Sequence, residues 1–252
     1  MTDLDVTLTP AGLQPDALAG CTVAVVDVFR ASSAIVTALV HGARGVIPAR
    51  DHGEAGRLAA TLDSDTVLVG GDSNGEPLDG YAAGASPEDY TAEAVRGRTV
   101  VMTTANGTPA LAAARAAETA VVASWLNASR AAAFLHSVAR TGQPVRIVCA
   151  GTDGRVALED VLCAGFLLSR FLKPADVARL GDAAQIAFAL YSGSHAQLPS
   201  ALAGTAQARR LRALGRERDI AACTRIDAYD VLPMLHDGTV VVDEAERLVT
   251  AV

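Results

Sequence analysis

Short runs of β-branched residues, polar turns and apolar residues at helical spacing follow one another along this chain from residue 23 to about 171. Val23–Val26 is the first such run. An unbroken apolar stretch of this kind fits a strand buried on both faces. Asp27 ends it, Arg30 follows within a turn, and Ser32 and Ser33 precede Ile35, Val36, Leu39 and Val40. The stretch reads as strand, tight loop and helix, with Ser32 or Ser33 as the N-cap.

Further strands are expected at Gly45–Ala49, Val67–Val69, Arg98–Met102, Ala120–Ala123 and Val145–Cys149, with Asp5–Thr9 as an edge strand ended by Pro10. Helices are expected over Asp51–Leu62, from Pro109 to Ala117, after the Asn127–Ser129 cap, and from Val161 to about Phe171. Beyond Lys173-Pro174 the pattern is mostly helical until Thr239–Val242. Residues 72–90 are rich in Gly, Pro and Ser and read as a long irregular loop, a feature that is usually functional or disordered. This alternation predicts an α/β fold, a mostly parallel sheet or sheets with helices on both faces. It is read as a single unit over residues 1–252, with one continuous lobe or two interleaved ones both open.

In an open α/β sheet, ligands bind at the carboxyl ends of strands. There Asp27, Arg30 and a helix N-terminus share one crevice that favours an anion. Arg30 could grip a phosphate or sulfonate through two parallel hydrogen bonds, and Asp27 could hold a divalent cation. The alternative is a structural Asp–Arg pair at a strand end. A second polar loop, Thr103–Thr108, and a third, Gly151–Gly154 with Glu159 and Asp160 behind it, also lie on strand-to-helix turns. Asn106 could instead cap a turn. Glu159 and Asp160 could simply complement a helix dipole. His41 and His195 read as ordinary surface or satisfied histidines.

Composition narrows the function classes. Half of the 252 residues are hydrophobic but only 4% are aromatic, so the core must be built from Ala, Val, Leu and Ile. The net charge of −7 argues against nucleic-acid binding. Cys21, Cys149, Cys163 and Cys223 are scattered without a CxxC pair, so they read as core thiols in a reducing cytoplasm. No signal peptide and no run of 18 apolar residues is found, and a soluble cytoplasmic protein without membrane contact is expected. No P-loop and no strand-following GxGxxG occurs. Phe29 stands where an aspartyl-phosphate phosphatase would carry its second Asp.

Five segments, VVDVFRASSAIVTAL, GGDSNGEPLDGYAAGASPEDY, TTANGT, SWLNAS and CAGTDGRVALEDVLCAG, occur in this order. Together with Ser194-His195, Gly204, Leu214-Gly215, Asp219-Ile220, Cys223 and Val231-Leu-Pro233, they resemble the 2-phosphosulfolactate phosphatase family over nearly the whole chain. The resemblance implies a Mg²⁺-dependent phosphatase acting on a small anionic phosphate ester. On it, Asp27, Arg30, Asn106 and Glu159 are expected to be catalytic. Arg30, Ser32, Ser86, Thr104, Asn106, Gly107 and Thr108 are expected to bind substrate, and Asp27, Asp72 and Asp160 to hold the magnesium. The chain departs from the family in its glycine-rich loop. Gly71-Asp72-Ser73 stands for Gly-Glu-Arg, and Ala82 and Ala85 stand for an Asp and an Asn. A relative that only binds an anionic metabolite, or acts on another substrate, is the alternative. A homodimer is expected only as the commonest assembly.

Overall fold

The computed structural model describes residues 3–242 apart from 12 and 74. In chain order the elements are β1 (Leu4–Thr7), β2 (Thr22–Val26), α1 (Ala31–Val40), β3 (Gly45–Ala49), α2 (His52–Ala60), β4 (Val67–Ser73), β5 (Glu76–Pro77), α3 (Ala92–Val95), β6 (Thr99–Thr103) and α4 (Gly107–Ala113). They continue with β7 (Thr119–Ala123), α5 (Ala128–Thr141), β8 (Val145–Cys149), α6 (Leu158–Ser169), α7 (Pro174–Val177), α8 (Asp182–Ser194), α9 (Leu198–Ala203), α10 (Ala206–Ala213), α11 (Glu217–Cys223), β9 (Met234–His236) and β10 (Thr239–Val241).

The strands form one ladder in the order β1-β8-β2-β7-β9-β10-β3-β6-β4-β5. Strands β1, β8, β2 and β7 are mutually parallel, as are β3, β6 and β4. The antiparallel hairpin β9–β10 sits between the two blocks, touching β7 at Val121↔Met234 and β3 at Val240↔Val46. Three antiparallel steps reverse the second block relative to the first. Five steps separate β2 from β6, and a twist of roughly 20–25° per step accumulates to on the order of 100°. The carboxyl ends of both blocks are thereby brought together.

Side-chain alternation along the strands explains helices on both faces. Ala24 and Val26 of β2, with Ile147 of β8, face a core completed by Leu135 of α5 and Leu162 of α6. Val23 and Val25 point the other way, into a core with Ile35 of α1 and Leu111 of α4. In the second block Val101 and Ala49 meet Ala55 of α2. The α/β architecture is as expected. Among the described residues no helix is long and apolar enough to cross a membrane.

Three local expectations are corrected. Neither Ser32 nor Ser33 caps α1, because the helix already begins at Ala31. Instead Ser32 Oγ accepts the Asp27 N–H at 2.9 Å, and Ser33 Oγ donates to the Val28 carbonyl at 2.9 Å, so both serines stitch the loop to the helix. Strand β4 runs on through Asp72 and pairs with β5, inside the stretch expected to be irregular. The tail contains strand β9 as well as β10, because the hairpin fills the gap between the parallel blocks.

Candidate active site

The ends of β2, β4, β6 and β8 and one face of α10 enclose a cleft. Its lining includes Asp27, Arg30, Asp72, Thr104, Asn106, Asp153, Gln207 and Arg210.

Asp27 lies at the cleft floor, only 6% exposed. The start of α1 holds it: the Ala31 N–H donates to its Oδ1 at 3.3 Å, and the Ser32 N–H donates to its main-chain oxygen. Burial pushes its carboxyl up to about 7. The Ala31 N–H opposes that shift, and the negative charges of Asp72 and Glu159 add to it. Asp27 Oδ2 faces Gly107 so closely that a Cβ there would lie 2.5 Å from it and 2.5 Å from the Ala31 Cβ. Gly107→Ala is therefore expected to displace Asp27 and cost a hundredfold or more of any activity the cleft has, about 3 kcal/mol. Steady-state kinetics beside a melting curve checks this, and an unaltered rate would mean the contact relaxes without consequence.

Arg30 is buried, and its guanidinium is already taken. Nη1 donates to Asp219 Oδ2 at 2.5 Å, and Nη2 donates to Asp72 Oδ2 and to the Gly75 carbonyl, both at 2.9 Å. Burial acts to lower its pKa, but the two carboxylates outweigh that and raise it. Asp219 also accepts the Ser86 hydroxyl at 2.5 Å. A chain of contacts, Ser86–Asp219–Arg30–Asp72, thus fastens the glycine-rich loop and α11 to the end of β2. The fork expected to grip a substrate anion is filled by the protein's own carboxylates.

Thr104 and Thr108 bond each other: each backbone N–H donates to the other's hydroxyl, at 2.9 and 3.2 Å. They shape the loop after β6, and of the two only Thr104 reaches the cleft lining. Asn106 Oδ1 accepts the Asp153 N–H at 3.0 Å, linking this loop to the one after β8. That contact leaves the Asn106 amide nitrogen as the end available to donate into the cleft.

Asp160 Oδ1 accepts the Val28 N–H at 2.8 Å and its Oδ2 the Gly151 N–H at 3.0 Å. Both oxygens are therefore committed to holding the loops after β2 and β8 together. Burial raises its carboxyl, with Asp27 and Glu159 adding to the shift. Glu159 is buried beside Thr205, whose hydroxyl caps α10, and burial raises its carboxyl too. It does not line the cleft. Asp72 Oδ2 takes Arg30 and the Gly75 N–H at 3.0 Å. Among the described residues no three His, Cys, Asp or Glu groups gather as a metal site. Of the three expected ligands, Asp27 is the one still turned toward the cleft without a charged partner on its oxygens.

Of the two alanines in the altered loop, Ala85 is buried and lines the cleft, whereas Ala82 is exposed and lies outside the lining. The Cys149 and Cys163 thiols are buried, and burial pushes them well up, as fits packing residues. Asp219, Gln207, Arg210, Thr152 and Asp153 were not among the expected site residues. Asp219 had a signal, since it falls within the tail segment that resembles the family, and so did Thr152 and Asp153, which lie in the third polar loop and in the segment CAGTDGRVALEDVLCAG; Gln207 and Arg210 had none.

The model for 2-phosphosulpholactate phosphatase matches residues 7–238. A probable 2-phosphosulfolactate phosphatase of Thermotoga maritima is 38% identical over 88% of this chain and 92% of its own length. One of Caldanaerobacter subterraneus subsp. tengcongensis is 35% identical over 86% and 89%. One of Clostridium novyi is 31% identical over 92% and 97%. A match of this extent, with four of the five quoted segments contributing residues to one cleft, means that the chain belongs to the 2-phosphosulfolactate phosphatase family.

Proposed function

We propose that the protein is a phosphoric monoester hydrolase that releases phosphate from 2-phosphosulfolactate or a closely related small anionic ester. The observation that carries this reading is Asp27, a buried carboxyl near neutrality on the floor of a polar cleft, in a chain of this family. In the reaction a water oxygen bonds to phosphorus, the ester P–O bond breaks, and the alcohol leaves with a proton.

Asp27 is the residue that would hold a magnesium ion here, in the usual one- or two-carboxylate mode and not as a three-carboxylate cage. When bound, it would neutralise charge on the phosphoryl group. The protein's own part is placement. The α1 N-terminus and the Ala31 N–H orient Asp27. The Asn106 amide nitrogen is set to donate to a phosphoryl oxygen. Asp160 keeps the two loops at their separation. Arg30 and Glu159 position the walls and α10.

Phosphate release from 2-phosphosulfolactate, followed with magnesium and after EDTA, tests the reading. Release that EDTA stops and magnesium restores is expected. A parent protein inert toward this and other small esters overturns the hydrolase, and release indifferent to EDTA removes the metal from it. Ala85, where the resemblance implies an Asn, favours a second reading in which the substrate is less polar at that wall.

A further inference from the structure

The charged side chains that line the cleft already have partners or a role. Arg30 is held between Asp72 and Asp219. Arg210 is engaged within the protein too, in part with Asp153, whose Oδ2 is 3.9 Å from its Nη1. Asp27 serves the phosphoryl end in the proposed reaction. The neutral side chains divide differently. Thr104 Oγ1 accepts the Thr108 N–H, and Asn106 Oδ1 accepts the Asp153 N–H. Thr152 and Gln207 also line the cleft, yet among the described residues neither side chain has a hydrogen bond to the protein.

Both residues stand on anchored backbone. The main chains of Thr152 and Arg155 exchange two hydrogen bonds of 2.9 Å, which close the turn after β8. In α10, Ala208 and Leu211 are buried, while Gln207 is half-buried and meets the cleft. At its start Thr205 caps the helix and lies against the buried Glu159. Just past its other end Leu214 packs on Gly75, where an added Cβ would come within 2.8 Å of the leucine Cδ1. Gly75 is in turn bonded to Arg30 and Asp72. The helix is thus pinned at both ends across the cleft. Spare hydrogen-bonding groups on backbone held in this way bind a ligand with little ordering cost.

Resting on the proposed hydrolase reading, we infer that Gln207, with Thr152, sets specificity by binding the acid groups of the substrate distant from the phosphoryl through neutral donors. 2-Phosphosulfolactate carries a sulfonate and a carboxylate beside its phosphate. The Gln207 amide nitrogen has two N–H groups to give, and the Thr152 hydroxyl has one. A hydrogen bond from a neutral donor to a charged oxygen is stronger than one between two neutral groups. Recognition of this kind draws on no guanidinium that the fold has already engaged.

The test compares kcat/KM for 2-phosphosulfolactate with that for isopropyl phosphate, a secondary-alcohol ester lacking both acids. Gln207→Ala is expected to reduce the ratio between the two by about 10- to 100-fold, mainly through a higher KM for the acidic ester. Gln207→Glu keeps the shape but exchanges the donor for a negative charge in a cleft that already holds Asp72 and Asp153, and should reduce the ratio further. Ala206→Glu, which adds the same charge at an exposed position of α10 outside the lining, should leave the ratio in place. Thr152→Val should lower it by about 3- to 10-fold. Calorimetric binding of sulfolactate, which carries both acids but no ester, is measured in parallel and should weaken with Gln207→Ala. If the parent releases phosphate and both Gln207 variants keep the ratio and sulfolactate binding, this inference is wrong and the hydrolase stands. If the parent releases none but binds sulfolactate, and Gln207→Ala weakens that binding, the hydrolase falls and the acid-binding site stands. If the parent does neither, both are overturned.

Discussion

Asp27→Asn is expected to lower kcat/KM by at least about a thousandfold, ~4 kcal/mol of transition-state stabilisation, while making the protein harder to melt. Asn keeps the shape and can still accept the Ala31 N–H, but it cannot ionise. The parent carboxyl is raised from an ordinary 3.8 to about 7 by burial. The folded protein therefore holds this proton where the unfolded chain has lost it. Stability from this group is fully present below about pH 4 and is lost as pH rises through about 7. The Asn variant escapes that loss, on the order of a few kcal/mol at pH 8. Thermal melts in EDTA from pH 4 to pH 8 should show the two proteins together at the acid end and the variant ahead at the alkaline end. A variant that is active, or that melts below the parent at pH 8, would show that Asp27 is a framework residue.

The second large effect is expected at Asp219. Asp219→Ala strands a buried guanidinium with one fewer carboxylate and leaves the Ser86 hydroxyl without its acceptor. Breaking a buried ion pair by removing one partner costs about 3–5 kcal/mol. For a chain of this size that corresponds to a melting temperature lower by roughly 6–20 °C. Asp219→Asn keeps an acceptor for Ser86 and should cost less. Urea unfolding of the three proteins ranks them, and an alanine variant within 1 kcal/mol of the parent would mean that Arg30 is satisfied by Asp72 and Gly75 alone.

What the sequence disclosed was local. The apolar run Val23–Val26, the polar break at Asp27 and the helical spacing after it report backbone period and burial directly, so the strand–loop–helix unit was legible. The loops at Thr103–Thr108 and Gly151–Gly154 were legible for the same reason. The partner of Arg30 was not, because Asp219 lies 189 residues away and an ion pair at that distance leaves no periodic trace. Read alone, Arg30 looked ready for a ligand, although the fold had assigned its fork to the protein. The short β9 strand was hidden because three residues carry too little pattern to stand out from a helical tail. Arg210 was equally obscure, since an arginine on an amphipathic helix gives no sign of which neighbour its polar face will meet.

The β9–β10 hairpin also fixes an order of events. Both parallel blocks are encoded before residue 150, yet the strands that join them come from residues 234–241. Asp219 and Arg210 arrive just ahead of those strands. During synthesis each half can pair its own strands early, and Arg30–Asp72 and Asn106–Asp153 can already join the two sets of loops, but the strands that bridge the blocks come only with the tail. A nascent chain that has already formed most of its sheet therefore still lacks the Asp219 half of the Arg30 clamp and the α10 wall of its cleft, and both are added late.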